Sequence, residues 1–100
     1  MKNAILDSMN YSGGTDTLTV EQSHKLAEAV VQAAKASKDA TVTLLMKGIS
    51  SMSTDASVAL FGPIVSDKDL ARKVAIRGIS PYMHEVMYIG MRRGRSNVAN

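Results

Sequence analysis

The sequence predicts a mainly α fold, namely a compact single domain of four or five short helices with a flexible N-terminal arm (residues 1–18), a helical domain (19–91) and a basic C-terminal tail (92–100). Three observations lead to this prediction. The chain has 100 residues, of which 45% are hydrophobic and 21% charged, as in an ordinary globular domain. The run from Val20 to Lys38 contains neither glycine nor proline. Four later segments begin with a capping residue or proline, and three of them end at a glycine.

The N-terminal arm is predicted to be flexible because it contains Ser12-Gly13-Gly14, a turn that a helix does not continue through cheaply. Thr19 and Gln22 follow at the spacing of a capping box, so the first long helix is predicted from Val20 to Lys38. One face of this helix is apolar and rich in alanine, which permits the close approach of a second helix. Its recurring apolar residues are Val20, Ala27, Val30, Val31 and Ala34.

The segment from Asp39 to Gly48 fits two interpretations. Its alternating β-branched residues are typical of a strand, whereas the cap at Asp39 and the stop at Gly48 are typical of a short helix. We expect a helix here, because a lone strand would leave its backbone groups without partners.

Two further helices are predicted from their boundaries. Ser53 or Thr54 caps a short apolar helix from Asp55 to Phe61, which Gly62 and Pro63 are expected to end. Phe61 is the only phenylalanine, so it is predicted to anchor the core. Ser66, followed by Asp69, opens a helix that is expected to continue to about Arg77 and to stop at Gly78.

The last helix is predicted from Pro81 to about Met91, because proline is favoured at the first helical position. Met83, Met87 and Met91 follow one another at intervals of four residues and form a stripe along this helix. Methionine side chains adapt to irregular surfaces, so the stripe could bind a partner or fill gaps in the core. We expect the core role.

Positive charge is concentrated toward the C-terminus of a chain with a formal net charge of +3. Between Lys68 and Arg95 only Asp69 and Glu85 oppose seven basic residues. Such a surface attracts phosphate backbones or an acidic protein face, although it can also be merely a solvated helix face. The predicted partner-binding residues are Arg72, Lys73, Arg77, Arg92, Arg93 and Arg95.

Catalysis and cofactor binding have little support in the residue types. The chain has no cysteine and two histidines, His24 and His84, neither of which belongs to a metal-binding or nucleophile motif. No glycine pattern resembles a phosphate loop. We therefore expect no enzyme activity, metal or cofactor. The N-terminal residues lack the apolar run of a signal peptide or membrane span, so a cytoplasmic protein without a membrane partner is predicted. The oligomeric state is left open.

One alternative function is DNA binding. The two helices predicted between Ser66 and Met91, with a turn at Gly78, are similar to a helix-turn-helix regulator, and Arg92, Arg93 and Arg95 would lie beside the phosphates. The second helix nevertheless begins Tyr-Met-His-Glu and is poor in the Arg, Asn and Gln side chains that read base edges.

The run Asp55-Ala56-Ser57-Val58-Ala59-Leu60-Phe61-Gly62, followed by an amphipathic segment that ends in Val74-Ala75 and Ile79-Ser80, resembles the helical region of the repeated backbone subunit of type I-E CRISPR Cascade complexes. The resemblance covers about Thr15 to Ser80. The family's RNA-binding palm has no counterpart in this chain, and Pro63 stands where the family usually has a basic residue.

This resemblance implies a helical domain that occupies the place of a backbone subunit in the complex. A small phage or plasmid protein of this kind would act as an anti-CRISPR that blocks Cascade assembly or target-DNA engagement by occlusion, without turnover. The matching positions, which are expected to support the fold, are Phe61, Gly62, Leu70, Val74 and Ile79. Arg72, Lys73 and Arg77 would then face the partner.

Overall fold

The computed structural model describes residues 2–98, and they form a sheet of parallel strands covered by a layer of helices. Met1, Ala99 and Asn100, the extreme ends of the predicted arm and tail, lie outside the described residues. The elements in chain order are β1 (Lys2–Asp7), α1 (Met9–Ser12), β2 (Thr17–Leu18), α2 (Val20–Ala34), β3 (Ala40–Leu45), β4 (Ser51–Met52), α3 (Thr54–Val65), α4 (Lys68–Lys73), β5 (Val74–Arg77) and α5 (Pro81–Val98).

The main sheet has the strand order β1-β3-β5, with all three strands parallel. β3 lies in the centre: Leu44 is level with Leu6 of β1 and with Ile76 of β5. Parallel neighbours need crossover connections, which α2 provides between β1 and β3, and α3 with α4 between β3 and β5. The two-residue strands β2 and β4 form a second, small parallel pair.

The domain is therefore not purely helical, and this corrects the predicted mainly α fold in part. It has five helices within the described residues, as expected, but Ala40–Leu45 is a strand where a helix was predicted. The prediction was wrong because both partner strands lay in segments that had been assigned otherwise. β1 lies in the predicted flexible arm, and β5 occupies the predicted end of the helix that was to reach Arg77. With β1 and β5 on either side, β3 has partners for its backbone groups.

Alternation along β3 gives the sheet one covered face and one open face. Ala40, Val42 and Leu44 are buried beneath α2 and α4, whereas Thr41 and Thr43 are partly exposed on the opposite face. On the open face the side-chain Oδ1 of Asn3 accepts hydrogen bonds from Thr41 Oγ1 (3.0 Å) and Thr43 Oγ1 (3.3 Å). Parallel sheets are usually covered by other elements on both faces. Here the second face instead carries a cluster of polar side chains that hydrogen-bond across the strands.

The helical layer is arranged around α3, which packs between α2 and α5. Its residues Ala56, Leu60, Phe61 and Ile64 are all buried, as expected for a helix with neighbours on most sides. Phe61 has no exposed surface, so its predicted place in the core is confirmed. α3 extends to Val65 with Pro63 inside its last turn, whereas an end at Gly62 had been predicted.

The capping box of α2 is confirmed. Thr19 Oγ1 accepts a hydrogen bond from the Gln22 amide at 3.1 Å, and Gln22 Oε1 accepts one from the Thr19 amide at 2.9 Å. The helix ends at Ala34, four residues before the predicted end at Lys38.

The last helix begins at Pro81 as predicted but continues to Val98 instead of ending near Met91. Arg92, Arg93 and Arg95 therefore belong to a helix, and the predicted boundary at residue 92 does not separate a tail within the described residues. Likewise, β1 pairs with β3, so the predicted boundary at residue 18 cuts through the main sheet. Among residues 2–98, no helix combines the length and the hydrophobicity that crossing a bilayer requires.

Candidate binding cleft between β5 and α5

A cleft of about 450 Å³ lies between the edge strand β5 and helix α5. Ile76, Ile79, Met87 and Met91 give it an apolar lining, and Arg77, Gly78 and His84 complete its wall. A largely apolar concavity with a few polar groups is the common form of a binding site. We call this site the β5–α5 cleft.

The wall on the sheet side depends on the end of β5. The Arg77 carbonyl accepts a hydrogen bond from the Met46 amide at 2.8 Å, which joins the strand to the segment after β3. Gly78 then turns the chain with φ of +81°, a conformation that favours glycine. A Cβ atom on Gly78 would lie 2.7 Å from the Lys47 amide nitrogen, so a side chain has no room here. The chain can therefore turn closely past Lys47 and bring Ile79 to the cleft.

The wall on the helix side is set by the contact of α5 with α3. Gly90 and Gly94 let the two helices approach closely, because a Cβ on Gly90 would overlap Ser57 and one on Gly94 would lie 2.5 Å from Gly62 Cα. Ser57 Oγ donates a hydrogen bond of 2.6 Å to the Val86 carbonyl. This contact fixes the position of α5, and its neighbouring stripe, His84, Met87 and Met91, borders the cleft.

The methionine stripe of α5 packs into the core and also borders the cleft. Met83 is fully buried, which confirms the predicted core role at that position. Met87 is only 8% exposed and Met91 is partly buried, but both also line the cleft. Met87 belongs to the buried core and Met91 packs against it, so the expected core role is confirmed along the stripe.

An exposed tyrosine stacks on the histidine of the cleft wall. The rings of His84 and Tyr88 stack with their centroids 6.3 Å apart and their planes inclined by 29°. Tyr88 is 56% exposed. Exposed tyrosines are enriched in protein interfaces because they offer a large, stiff and amphipathic contact area.

The six predicted partner-binding residues do not form a single site. Arg77 lines the β5–α5 cleft, whereas Arg93 lines a different depression together with His24 and Asp55. Arg72 is exposed on α4, and Arg92 and Arg95 are exposed on α5. Lys73 Nζ donates hydrogen bonds to the carbonyls of Ala34 (2.9 Å) and Ser37 (3.0 Å), so this ammonium group holds the end of α2.

A second concave region surrounds His24, which borders three adjoining depressions between α2, α3 and α5. Small residues of α3, Ala59 and Gly62, line it, and charges of both signs stand around it: Glu28, Asp55 and Arg93. This region lacks an exposed strand edge, and its charges are of both signs. Its features therefore indicate the chemistry of a partner less clearly than those of the β5–α5 cleft do.

Within residues 2–98, no group of three or more His, Asp and Glu side chains is placed to hold a metal ion. The residues that line the cleft include one candidate proton acceptor, His84, and none of them is a carboxylate, hydroxyl or thiol that could work with it. The chemistry of the cleft is therefore suited to binding through apolar contact and positive charge.

No protein-family model matches the chain, and neither a curated protein nor a solved structure is significantly similar to it.

Sequence reasoning missed most of the lining on the sheet side. The sequence predicts Ile76 within a helix and Ile79 as a residue that supports the fold. One signal was available: the β-branched residues Val74 and Ile76 alternate with Ala75 shortly before Gly78, as they would in a short strand. The spacing of Met87 and Met91 was noticed, but the cleft arises only because β5 stands opposite them.

Proposed function

We propose that this protein is a non-enzymatic interaction protein that binds a segment of another protein in the β5–α5 cleft. The observation that carries the proposal is the apolar cleft itself, lined by Ile76, Ile79, Met87 and Met91 beside the exposed His84–Tyr88 pair. Apolar floors with tyrosine and arginine at the edge are the usual composition of binding hot spots.

The free energy for such binding would come mainly from the apolar lining. Fully burying one aliphatic side chain of a partner is worth about 1.5–3 kcal/mol. Met87 and Met91 are unbranched and can adjust to the shape of an incoming side chain. Arg77, by contrast, would chiefly speed association and set charge preference, as charges at an interface rim do.

Docking on a type I CRISPR Cascade complex, with occlusion of its assembly or of target-DNA engagement, remains a prediction from the resemblance. The residues that carry it serve the fold, since Phe61, Gly62 and Leu70 are buried. A contact with Cascade would therefore use the exposed surface, and the cleft is the part of that surface best suited to it.

The alternative, a helix-turn-helix reader, finds less support. β5 lies between α4 and α5, so these two helices are not joined by the tight turn that this motif requires. The basic residues Arg77 and Arg93 also line different depressions.

The test is a pull-down from a bacterial lysate that expresses a type I-E Cascade, with the wild-type chain and two carboxylate variants as baits. Met91→Glu places a charge in the cleft. Val20→Glu, at a site that is 39% exposed and does not line the cleft, is the matched control. Circular dichroism establishes that both variants are folded.

We expect a partner that wild type and Val20→Glu retain and that Met91→Glu loses, with the same dependence when the purified partner is used. Cascade subunits in that role would support the anti-CRISPR prediction. Equal retention by Met91→Glu would show that the cleft is not the site. Retention that nuclease treatment abolishes would favour nucleic-acid binding instead.

A further inference from the structure

We infer that the segment bound in the cleft is an extended, acidic peptide that adds a strand to the free edge of β5. This inference rests on the proposed function and specifies its ligand. Three observations support it: unpaired backbone groups on β5, an apolar trough beside them, and positive charge without a carboxylate in the lining.

The first observation is the direction of the β5 backbone groups. In a parallel ladder, alternate residues direct both N–H and C=O to the same neighbour. The Arg77 carbonyl accepts from Met46, and Arg77 is level with Leu45, so Arg77 faces β3. Ile76, one residue earlier, therefore directs its N–H and C=O away from the sheet. Among the described residues, no cap or loop is hydrogen-bonded to these groups.

The second observation is the trough along that edge. The Ile76 side chain lies on the same face as Leu44, and it lines the cleft with Met87 and Met91 of α5. A strand added beside Ile76 would place alternate side chains over these residues. A groove between an edge strand and a helix is the general arrangement in which domains bind peptides by strand addition.

The third observation is charge. Arg77 carries a permanent positive charge in the cleft wall, and the imidazole of His84 adds a hydrogen-bond donor. Arg92 and Arg95 are exposed farther along α5, outside the lining. Glu85 is the single acidic residue of α5, and it does not line the cleft. A carboxylate on the ligand is therefore the complementary group.

The opposite edge of the sheet provides an internal control. The Ser8 amide donates to the Leu45 carbonyl at 2.9 Å, so by the same alternation Ile5 of β1 directs its backbone groups to the outer edge. Ile5 is 63% exposed and does not line the β5–α5 cleft. Both edges thus have outward amides, and the β5 edge has the cleft beside its amide.

The experiment begins with selection of random linear peptides displayed on phage against the whole chain, followed by synthesis of the enriched peptide. Its affinity is measured for Ile76→Pro, which removes the outward N–H without removing a bond to β3. Ile76→Val keeps the N–H and controls for the side chain, and Ile5→Pro is the matched control on the other edge. In the wild-type chain, hydrogen exchange of the Ile76 amide is measured with and without the peptide.

We expect peptides enriched in Asp and Glu, a loss of affinity of about tenfold or more in Ile76→Pro, and a change of less than about threefold in Ile76→Val and Ile5→Pro. The Ile76 amide should become protected when the peptide binds. Arg77→Glu should shift the selected peptides toward basic residues, whereas Arg93→Glu, outside the cleft, should not.

Three kinds of result would overturn the inference in different ways. If Met91→Glu abolishes peptide binding but Ile76→Pro binds equally well and the Ile76 amide stays unprotected, the cleft binds a ligand without strand addition, and the proposed function survives. If no peptide is enriched, or if the enriched peptides bind regardless of Met91→Glu, both proposals fail. Enrichment without acidic residues would overturn the charge preference alone.

Discussion

The two sides of α5 differ in how closely they are packed. Toward α3, two glycines bring the helices to backbone contact, and a buried serine adds a hydrogen bond of 2.6 Å between Ser57 and Val86. Toward β5, the same helix leaves a cleft of about 450 Å³ lined by methionine and isoleucine. The comparison teaches that close packing on one side positions the helix firmly, so that the other side can remain open without loss of order.

The largest difference in the free energy of unfolding is expected between truncation of a residue in the core, Phe61 of α3, and truncation of a residue that lines the cleft, Met91. Phe61 is fully buried, so Phe61→Ala should lower the free energy of unfolding by about 3–5 kcal/mol. Met91 faces the cleft and is partly buried, so Met91→Ala should lower it by only about 1 kcal/mol. Urea unfolding followed by circular dichroism measures both values.

If Phe61→Ala does not fold, Phe61→Leu should still fold with a loss of about 1 kcal/mol and provides the graded comparison. A loss in Met91→Ala as large as that in Phe61→Ala would mean that the cleft is closed in solution.

A smaller difference in stability is expected between alanine substitutions at two glycines that face each other, Gly94 and Gly62. In Gly94→Ala the new Cβ would lie 2.5 Å from Gly62 Cα and 2.9 Å from its carbonyl oxygen, so overpacking should cost about 2 kcal/mol. In Gly62→Ala the nearest atom, Gly94 Cα, is 3.7 Å away. The gain in helix propensity is then opposed by the following Pro63, and the net change should stay within about 1 kcal/mol.

Chemical unfolding of the two glycine variants under identical conditions tests this asymmetry. Equal stability of Gly94→Ala and Gly62→Ala would show that α5 can shift away from α3. The α3–α5 contact would then not be the rigid side of α5.

The smallest difference in stability is expected between alanine substitutions at two fully buried serines, Ser57 and Ser23. Ser57 Oγ has a partner, the Val86 carbonyl, whereas Ser23 Oγ has none among the described residues. Ser57→Ala should lower stability by about 0.5 kcal/mol, since a lost hydrogen bond outweighs the helix propensity of alanine. Ser23→Ala should raise it by about 0.5 kcal/mol, because alanine replaces an unsatisfied hydroxyl.

For the serine pair, thermal unfolding is sufficient, because 1 kcal/mol shifts the midpoint by about 4–8 °C in a domain of this size. A higher midpoint for Ser57→Ala than for Ser23→Ala would contradict the hydrogen bond as a stabilising contact between α3 and α5.

The starts of α2 and α5 were predictable from local chemistry, whereas the cap of α4 is Asp67 and not the predicted Ser66. The reciprocal hydrogen bonds of Thr19 and Gln22, the start of the last helix at Pro81 and the burial of Phe61 all follow from residue type and spacing. The ends of helices were predicted less well. The predicted stop at Gly62 failed because burial on most sides keeps α3 helical through Pro63, despite the lost amide donor.

The strands were missed because their evidence is not local. Ala40–Leu45 looks equally like a helix or a strand until β1 and β5 are known to lie beside it. β1 comes from the predicted arm and β5 from the predicted end of a helix, about thirty residues from β3 on either side in sequence. Each strand of the main sheet is stable only beside the others. A prediction that considers each segment separately therefore finds none of the three strands.

The sequence by itself determined the capping box that starts α2, the start of the last helix at Pro81, the excess of positive charge toward the C-terminus and the stripe of methionines on the last helix. The tertiary structure alone decided that Lys73 holds α2, that Arg77 and Arg93 line separate depressions, and that Met87 and Met91 face Ile76 across a cleft. The physical reason is range: caps and helix faces depend on residues within a turn or two of each other, whereas a cleft depends on which distant elements the sheet and the α3–α5 contact bring together.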